Sequence, residues 1–303
     1  MADRALSVQA ASDAATSPIG RPRVRDQRWA VVKRALTARG APFGAAVLAL
    51  VVLMALLAPL VAPYDPLKQD LINARGAPSA EHLFGTDDLG RDVLARVIYG
   101  SRVSLIAGLA SVAMAVIAGS LLGLAAGFAG GWLDSLVMRV VDAILSFPAL
   151  VLALALGAVM GVGLTGVVIA LGVVYTPTFA RLMRGQVLTV REREFVLAAR
   201  VIGAPAWRIV AQHVLPNVAT PIVVQASLSI AFAILAEASL SFLGLGVPPP
   251  EPSWGGMINQ GRGYLQVAPW IVFGPGAALF VTVLGLNFVG DAIRDALDPR
   301  IRV

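Results

Sequence analysis

The chain has 303 residues, of which 57% are hydrophobic, only 14% are charged and none is cysteine. Soluble domains carry about 25% charged residues, so this chain has too few polar groups to cover a globular surface. The same composition excludes a chain that is disordered throughout. The absence of cysteine excludes disulfide frameworks, cysteine-based zinc sites and thiol catalysis. The net charge of +6 does not indicate nucleic-acid binding, because the basic residues do not form one solvated face. Composition therefore predicts an integral membrane protein.

Long uncharged runs predict six membrane-spanning helices, since a helix needs about 20 apolar residues to cross about 30 Å of hydrocarbon. The run from Ala143 to Ala180 is too long for one crossing and slightly short for two. We divide it at Gly161-Val-Gly163, which requires the third span to begin near Ser135. The predicted spans cover residues 43–63, 103–128, 135–160, 164–181, 219–242 and 268–290.

Two local features refine these spans. Gly130-Gly131 predicts a turn at the end of the second span. The third span carries Arg139 and Asp142 in its first turns, and their i,i+3 spacing places them on one helix face. We therefore expect these two side chains to form an ion pair.

The distribution of basic residues predicts the orientation in the membrane. Lysine and arginine are concentrated in segments 1–42, 181–218 and 291–303, whereas segment 243–267 has one arginine and the acids of segment 64–102 balance its basic residues. The positive-inside rule then places both termini and the 181–218 segment in the cytoplasm.

The N-terminal tail, residues 1–42, is predicted to precede a membrane domain that covers residues 43–303. Residues 1–26 look disordered and lack the apolar core of a signal peptide. Residues 27–39 place apolar side chains among basic ones, which suits a short helix on the inner membrane surface. A basic flank without fixed structure is an equally good interpretation.

Several kinds of active site are missing from the sequence. The two lysines, Lys33 and Lys68, do not follow glycine, so there is no Walker A loop. His82 and His213 fall on opposite sides of the predicted membrane, and neither an HExxH nor a GxSxG motif is present. Spans with so few charges do not indicate a proton relay or voltage sensor. These absences favour a passive membrane unit that forms a path or holds partners, with an intramembrane hydrolase as a minor alternative.

The cytoplasmic segment between spans four and five is the most distinctive part of the chain. It predicts a helix from about Glu192 to Ile202, ended by Gly203. A second helix is predicted from about Pro205, a favourable first-turn residue, to Pro216. Such a helix–glycine–helix element forms a compact knob, although an amphipathic loop lying on the lipid surface is the simpler alternative.

This segment resembles the EAA loop of ABC-importer permeases. The resemblance is carried by Glu194, Ala198, Ala199, Gly203, Ile209, Leu215 and Pro216. Three further strings resemble the dipeptide/oligopeptide/nickel group of these permeases, and the first and last of them resemble its second, "C"-type subunit. They are His82–Asp92 with Gly85, Thr86, Asp87, Gly90, Arg91 and Asp92; Glu237–Gly246 followed by Pro252-Ser-Trp254-Gly; and Gly290–Arg300.

The resemblance implies an all-α, polytopic protein of the type I ABC-importer permease fold in the bacterial inner membrane. It implies a heterodimer with a homologous permease, two cytoplasmic ATPases that dock on the coupling loop 182–218, and an external solute-binding protein. ATP and Mg²⁺ then belong to the ATPases, and this chain binds no cofactor or metal and is not an enzyme. Peptides are the expected substrates, with nickel, glutathione or haem as alternatives. A secondary transporter, a channel or a non-transporting scaffold is the competing class.

Three smaller features have two interpretations each. The acidic outer-loop string lacks the residue order of an EF-hand, so we favour a helix cap with an Asp92–Arg96 ion pair over a calcium site. Glu237, near Ser239 and Ser241, predicts either an outer gate or a local hydrogen bond. Glycines recur every four residues in and after span two, which favours helix packing within the chain over a subunit interface; these are Gly119, Gly123, Gly127 and Gly131.

Overall fold

The computed structural model describes residues 40–297, and within this range the chain is almost entirely helical. The helices found there are α1 Ala41–Leu56, α2 Ala58–Val61, α3 Val93–Ala129, α4 Gly131–Leu145, α5 Ala149–Met160, α6 Leu164–Arg191, α7 Glu194–Val201, α8 Ala206–Ile209, α9 Leu215–Phe242, α10 Trp254–Gly261 and α11 Trp270–Leu297. The predictions for residues 1–26 and 27–39 lie outside the described residues, as does the end of the Gly290–Arg300 string.

The first apolar segment is divided between two helices. α1 has 16 residues, fewer than a full crossing needs, and the short α2 follows it with Pro59 in its first turn. The Arg102 guanidinium donates to the carbonyl of Ala55 (2.6 Å) and so caps the C-terminal end of α1. The break within the predicted span 43–63 is therefore stabilised by the neighbouring helix α3.

α3 is a continuous helix of 37 residues and extends beyond the predicted span 103–128 at its outer end. Its first turn is capped by Asp92, whose carboxylate accepts from the N–H of Ala95 (2.7 Å). Gly130 and Gly131 follow its last turn with φ of 68° and 59°, a conformation that glycine adopts without a steric cost. The predicted turn at these two glycines is confirmed.

The predicted third span, 135–160, is not one straight helix. It is divided between α4 and α5, which are bent by 94° relative to each other. The bend lies at Phe147-Pro148, where the proline ring disfavours helical backbone at the residue before it. Apolar composition alone predicts the crossing but does not reveal this change of direction.

The predicted pairing of Arg139 with Asp142 is wrong. Asp142 instead accepts from Arg181 of α6, with 2.5 Å between Oδ1 and Nη2. Because α6 lies beside α4, it supplies a basic group that the i,i+3 spacing within α4 does not reveal.

The remaining spans are continuous helices that extend farther inward than predicted. α6 runs to Arg191 rather than 181, α9 begins at Leu215, and α11 covers Trp270–Leu297. Within residues 40–297, four helices are long and apolar enough to cross a membrane, and the bent α4–α5 pair makes up to five. With the shorter α1, all six predicted apolar segments are helical.

The glycines of α3 allow close packing against α6. A Cβ atom on Gly119 would lie 2.5 Å from the carbonyl oxygen of Thr176, and one on Gly127 would lie 3.0 Å from the Cβ of Val187. Gly123 meets the backbone of Ala180 in the same way. The predicted packing within the chain is confirmed for these three glycines. Gly131 lies beyond the end of α3, and no atom lies within 4 Å of the position that its Cβ would occupy.

Candidate functional site

The chain between α6 and α9, residues 192–214, forms two short helices joined by a tight turn, and we call it the knob. α7 begins at Glu194 and ends at Val201, close to the predicted limits. Gly203 follows in the left-handed conformation with φ of 77°. The N–H of Ala204 donates to the carbonyl of Ala199 (3.0 Å), which closes the C-terminal end of α7.

The second half of the knob leads directly into α9. α8, Ala206–Ile209, is followed by a π-helical turn at Val210–Val214 and then by α9 without a break. Pro216 lies in the first turn of α9, so the prediction that it ends the second helix is wrong. The π-helical turn ends two residues before Pro216, which has no N–H to donate. The Asn217 side chain donates to the carbonyl of His213 in this turn (2.7 Å).

One face of the knob is part of the protein core. Val196 and Ile209 are buried with Val187 of α6 and Val218 of α9 in a single apolar cluster. The Arg200 guanidinium also lies over the ring of Phe128 in α3, 5.9 Å from its centre. These contacts attach the knob firmly to the inner ends of three helices.

The opposite face exposes apolar side chains, and we call this surface the tip. Val201 and Ile202 are 87% and 83% exposed, and Trp207 is 66% exposed. Exposed apolar groups of this kind are typical of a surface that contacts another protein or a membrane. The residues predicted from sequence do not include these three, although two β-branched residues just before a helix-ending glycine are a usable signal.

The structure separates the predicted coupling residues into two groups. Ala199 and Ile209 are buried and hold the knob to the core. The others are exposed. Glu194, Ala198 and Gly203 lie on the knob, whereas Leu215 and Pro216 lie in the first turn of α9. Glu194 occupies the first turn of α7, where a negative charge is favourable.

The outer-loop motif forms a closed turn around a buried ion pair. The Arg91 Nε donates to one carboxylate oxygen of Asp87 (2.7 Å), and the backbone N–H of Arg91 donates to the other (2.9 Å). Thr86 pairs with Asp92 across the turn, and Gly85 and Gly90 have positive φ. Within residues 40–297, no three histidine or carboxylate side chains converge as a metal site.

Asp92 caps α3 as predicted, but its predicted ion pair with Arg96 is wrong. Its second oxygen lies 2.9 Å from Nδ1 of His82, while Arg96 lies 3.4 Å from Asp87 and donates to the carbonyl of Pro66 (3.0 Å). Arg96 therefore pairs with Asp87 rather than with Asp92, because the turn at Gly90 folds the chain back over α3.

Two tryptophans join the outer motif and the first turns of α3 to distant parts of the fold. Trp270 of α11 donates from its indole N–H to the carbonyl of Thr86 (3.0 Å), and Trp254 of α10 donates to Val97 of α3 (2.9 Å). On the exposed part of the loop, the Asn73 amide donates to Asp70 (2.8 Å) and lowers the pKa of that carboxyl. The motif thus organises the outer surface.

Glu237 forms a buried hydrogen-bonded group between α9 and α3. Its side chain accepts from Ser241 (2.7 Å) and from Ser104 of α3 (3.0 Å), and the residue is 1% exposed. The local hydrogen bond predicted for Glu237 is therefore present. Ser239 points elsewhere and donates to the carbonyl of Leu235 (2.8 Å). No local sequence pattern identifies Ser104, because it is distant along the chain.

Two family models match the chain. One describes the binding-protein-dependent transport system inner membrane component and matches residues 119–303. The chain belongs to this family. The N-terminal transmembrane domain of oligopeptide transport permease C matches residues 28–78. The protein is therefore a multi-pass permease of a bacterial ABC importer in the inner membrane, and the family predicted from the sequence motifs is confirmed.

Relatives of similar length belong to peptide and glutathione systems. The chain is 45% identical over 251 residues to the dipeptide transport system permease protein DppC of Alkalihalophilus pseudofirmus, which covers 83% of each chain. It is 46% identical over 270 residues to the di/tripeptide transport system permease protein DppC of Pseudomonas aeruginosa, covering 87% of this chain and 89% of the relative. It is 42% identical over 254 residues to the glutathione transport system permease protein GsiD of Pectobacterium atrosepticum, covering 84% of each.

A solved structure shows the same fold. The inward-facing MetNI methionine ABC transporter has a chain that superposes with a TM-score of 0.56 at 19% identity, covering 67% of this chain and 96% of that one. The predicted all-α permease fold is confirmed by this likeness and by the family match.

Proposed function

We propose that this permease forms half of a translocation path for peptides and that its knob docks on a cytoplasmic ATPase. The docking is inferred from the tip, where three large apolar side chains are exposed. The opposite face of the knob is buried in the core and holds the tip in place. The peptide assignment is supported by the names of the two DppC relatives, which match this chain over most of their length.

The complete transporter in this proposal has four further subunits. A homologous permease supplies the other half of the path, and two ATPases bind and hydrolyse ATP with Mg²⁺. A solute-binding protein delivers the substrate on the outer side. This chain binds no cofactor and catalyses no chemical step, and its contribution is to form the path and to transmit movement.

The proposed mechanism is alternating access, in which rigid groups of helices rock about a central site. ATP-driven closure of the ATPases displaces the knob, and the shared apolar cluster carries α6 and α9 with it. The six spans then change between inward-facing and outward-facing arrangements.

The outer residues have supporting roles in this mechanism. The closed turn of residues 85–92 presents a rigid surface to the solute-binding protein. Glu237 of α9 and Ser104 of α3 hold these two helices together. The contact lies near the outer end of the path, because Glu237 is about 8 Å along α9 from Phe242. We assign Ser239 no part in that contact. Opening the path on the outer side would require this hydrogen-bonded group to separate.

Reconstitution of the complete transporter tests the proposal. The neighbouring permease, ATPases and binding protein are co-expressed with this chain, and uptake of a labelled dipeptide into proteoliposomes is measured with and without ATP. Trp207→Ala should weaken ATPase retention by about tenfold, a usual effect for an exposed aromatic anchor at an interface. Trp132→Ala is the matched control, because Trp132 of α4 is 76% exposed but lies outside the knob.

Three results would contradict parts of the proposal. ATP-independent uptake with no retained ATPase would favour a secondary transporter or channel. Equal ATPase retention by the Trp207 and Trp132 variants would remove the docking role of the tip. Uptake of glutathione, nickel or haem without uptake of dipeptides would overturn the peptide assignment and leave the coupling mechanism intact.

A further inference from the structure

α4 differs from the other long helices in how it is attached. Val141 is its one buried side chain, and no residue of α4 belongs to the apolar clusters found within residues 40–297. Its partner α5, by contrast, packs Ala153 into a cluster with Leu171 of α6. Buried apolar packing therefore holds α5 more extensively than α4.

Polar contacts to α6 hold α4 instead. The Arg184 guanidinium donates to both carboxylate oxygens of Asp134, with 2.5 Å from Nε to Oδ1 and 2.6 Å from Nη2 to Oδ2. The two side chains are 33% and 17% exposed. A bidentate pair of this kind constrains both distance and orientation. Arg184 lies about 30 Å along α6 from Leu164, so the pair is near the inner end of the span.

A second pair lies close to the first but is more exposed. Asp142 and Arg181 are 62% and 58% exposed, and exposed ion pairs contribute little because water screens them. The covalent connection of α4 to α3 is the pair Gly130-Gly131, which has no side chain to fix the angle between the helices. The Asp134–Arg184 pair is thus the stronger of the two ion pairs that join α4 to α6.

Arg184 also belongs to the part of α6 that is joined to the knob. Val187 and Val190, in the following turns, share the apolar cluster with Val196 and Ile209 of the knob. Arg191 donates to the carbonyl of Gly127 in α3 (2.9 Å). Arg184 therefore lies within one turn of residues that pack directly against the knob.

We propose that Asp134 and Arg184 are positioning residues for coupling, which transmit movement of the knob through α6 to the bent helix pair α4–α5. This inference rests on the proposed function of the knob. When the ATPases displace the knob, the bidentate contact makes α4 follow α6, and the bend at Phe147-Pro148 passes the motion to α5. Without the contact, ATP hydrolysis proceeds but α4–α5 lags behind.

The decisive measurement is the number of dipeptides imported per ATP hydrolysed by the reconstituted transporter. Asp134→Asn and Arg184→Gln should lower this ratio by about tenfold, the factor expected when one hydrogen-bonded charge contact is lost. ATP hydrolysis and ATPase retention should remain near wild-type values. Asp142→Asn is the matched control on the same helix, and its ratio should change by less than about twofold.

Exchange of the charges tests the contact itself. The double variant with Asp134→Arg and Arg184→Asp should recover most of the ratio that each single change removes. The chain has no cysteine, so Asp134→Cys with Arg184→Cys provides a second test in one sample. Its ratio should be low before treatment and should rise after a short bifunctional thiol reagent joins the two helices.

Each outcome decides for or against the proposal. Wild-type ratios in both single variants would overturn it, as would a cysteine pair whose ratio is the same before and after a cross-link that is visible by gel mobility. Equal losses in the Asp134 and Asp142 variants would also overturn it, since they would indicate a general effect of charge. Failure of the proposed function is distinguishable, because the wild-type transporter would then show no ATP-dependent uptake at all.

Discussion

Gly203 connects the two helices of the knob and provides the most direct test of the coupling mechanism. Its φ of 77° is strained for residues with a side chain, while no atom lies within 4 Å of the position that a Cβ would occupy. Substitution there therefore changes the backbone preference without creating a steric clash. We predict that the order of transport activity is glycine, then asparagine, then alanine, then valine.

The magnitude follows from the left-handed conformation. This conformation costs about 1–2 kcal/mol for an ordinary L-residue, asparagine tolerates it better, and a β-branched residue tolerates it worst. A change of about 1–2 kcal/mol shifts a local equilibrium by roughly 5–30-fold. Gly203→Ala should thus reduce the docked form of the knob by about tenfold, and Gly203→Val should reduce it further.

The assay combines ATP-dependent dipeptide uptake with ATPase retention during purification. Membrane insertion and the amount of purified chain should stay near wild-type values, because the knob lies outside the spans. Gly185→Ala is the matched control: Gly185 lies in α6, has no neighbour within 4 Å of an added Cβ, and has no positive φ. This change should leave uptake intact and stabilise α6 by about 1 kcal/mol.

Two results would refute the reasoning. Gly203→Val could transport as well as the wild type, which would mean that the left-handed turn does not matter for coupling. Alternatively, asparagine could be no better than valine, and the backbone conformation would then not be the cause of the loss.

Three further predictions concern the spans and the outer loop. Gly123→Val should lower the thermal midpoint markedly in detergent, because its side chain meets the backbone of Ala180; an unchanged midpoint would contradict the close packing of α3 and α6. Asp92→Ala should destabilise the protein by about 1 kcal/mol through loss of the helix cap, measured against Asp92→Asn, which retains an acceptor. Glu237→Leu should cost about 1–3 kcal/mol for each serine hydroxyl left without a partner, whereas Glu237→Gln should be tolerated, and equal stability of the two variants would refute this.

The sequence determines the class of the protein and most of its helical segments. Uncharged runs of sufficient length identify the six apolar segments, because a membrane core excludes charged groups and requires helices of a given length. Gly203 is predictable as a helix end, since glycine is the residue that adopts the left-handed conformation at that position. The resemblance of several separate strings to one family also requires no structure.

Predictions that depended on neighbours in space were less successful. Arg139 and Asp142 have the spacing of a pair, yet Asp142 bonds to Arg181. The predicted ion pair of Asp92 with Arg96 is wrong for the same reason, because Arg96 lies beside Asp87. Helix spacing predicts which residues share a face. The partner to which a charged group bonds depends on which other helix lies against that face.

Sequence alone thus predicts, through resemblance to one family, an inner-membrane permease whose cytoplasmic segment forms two short helices. Tertiary structure decides that the third apolar segment bends by 94°, that the knob exposes an apolar tip, and that Asp134 joins α4 to α6. The physical reason is that hydropathy and backbone preference are properties of short segments. Proline at position 148 breaks the helix locally, but ion pairs and exposed faces are decided only when segments far apart in the chain are packed together.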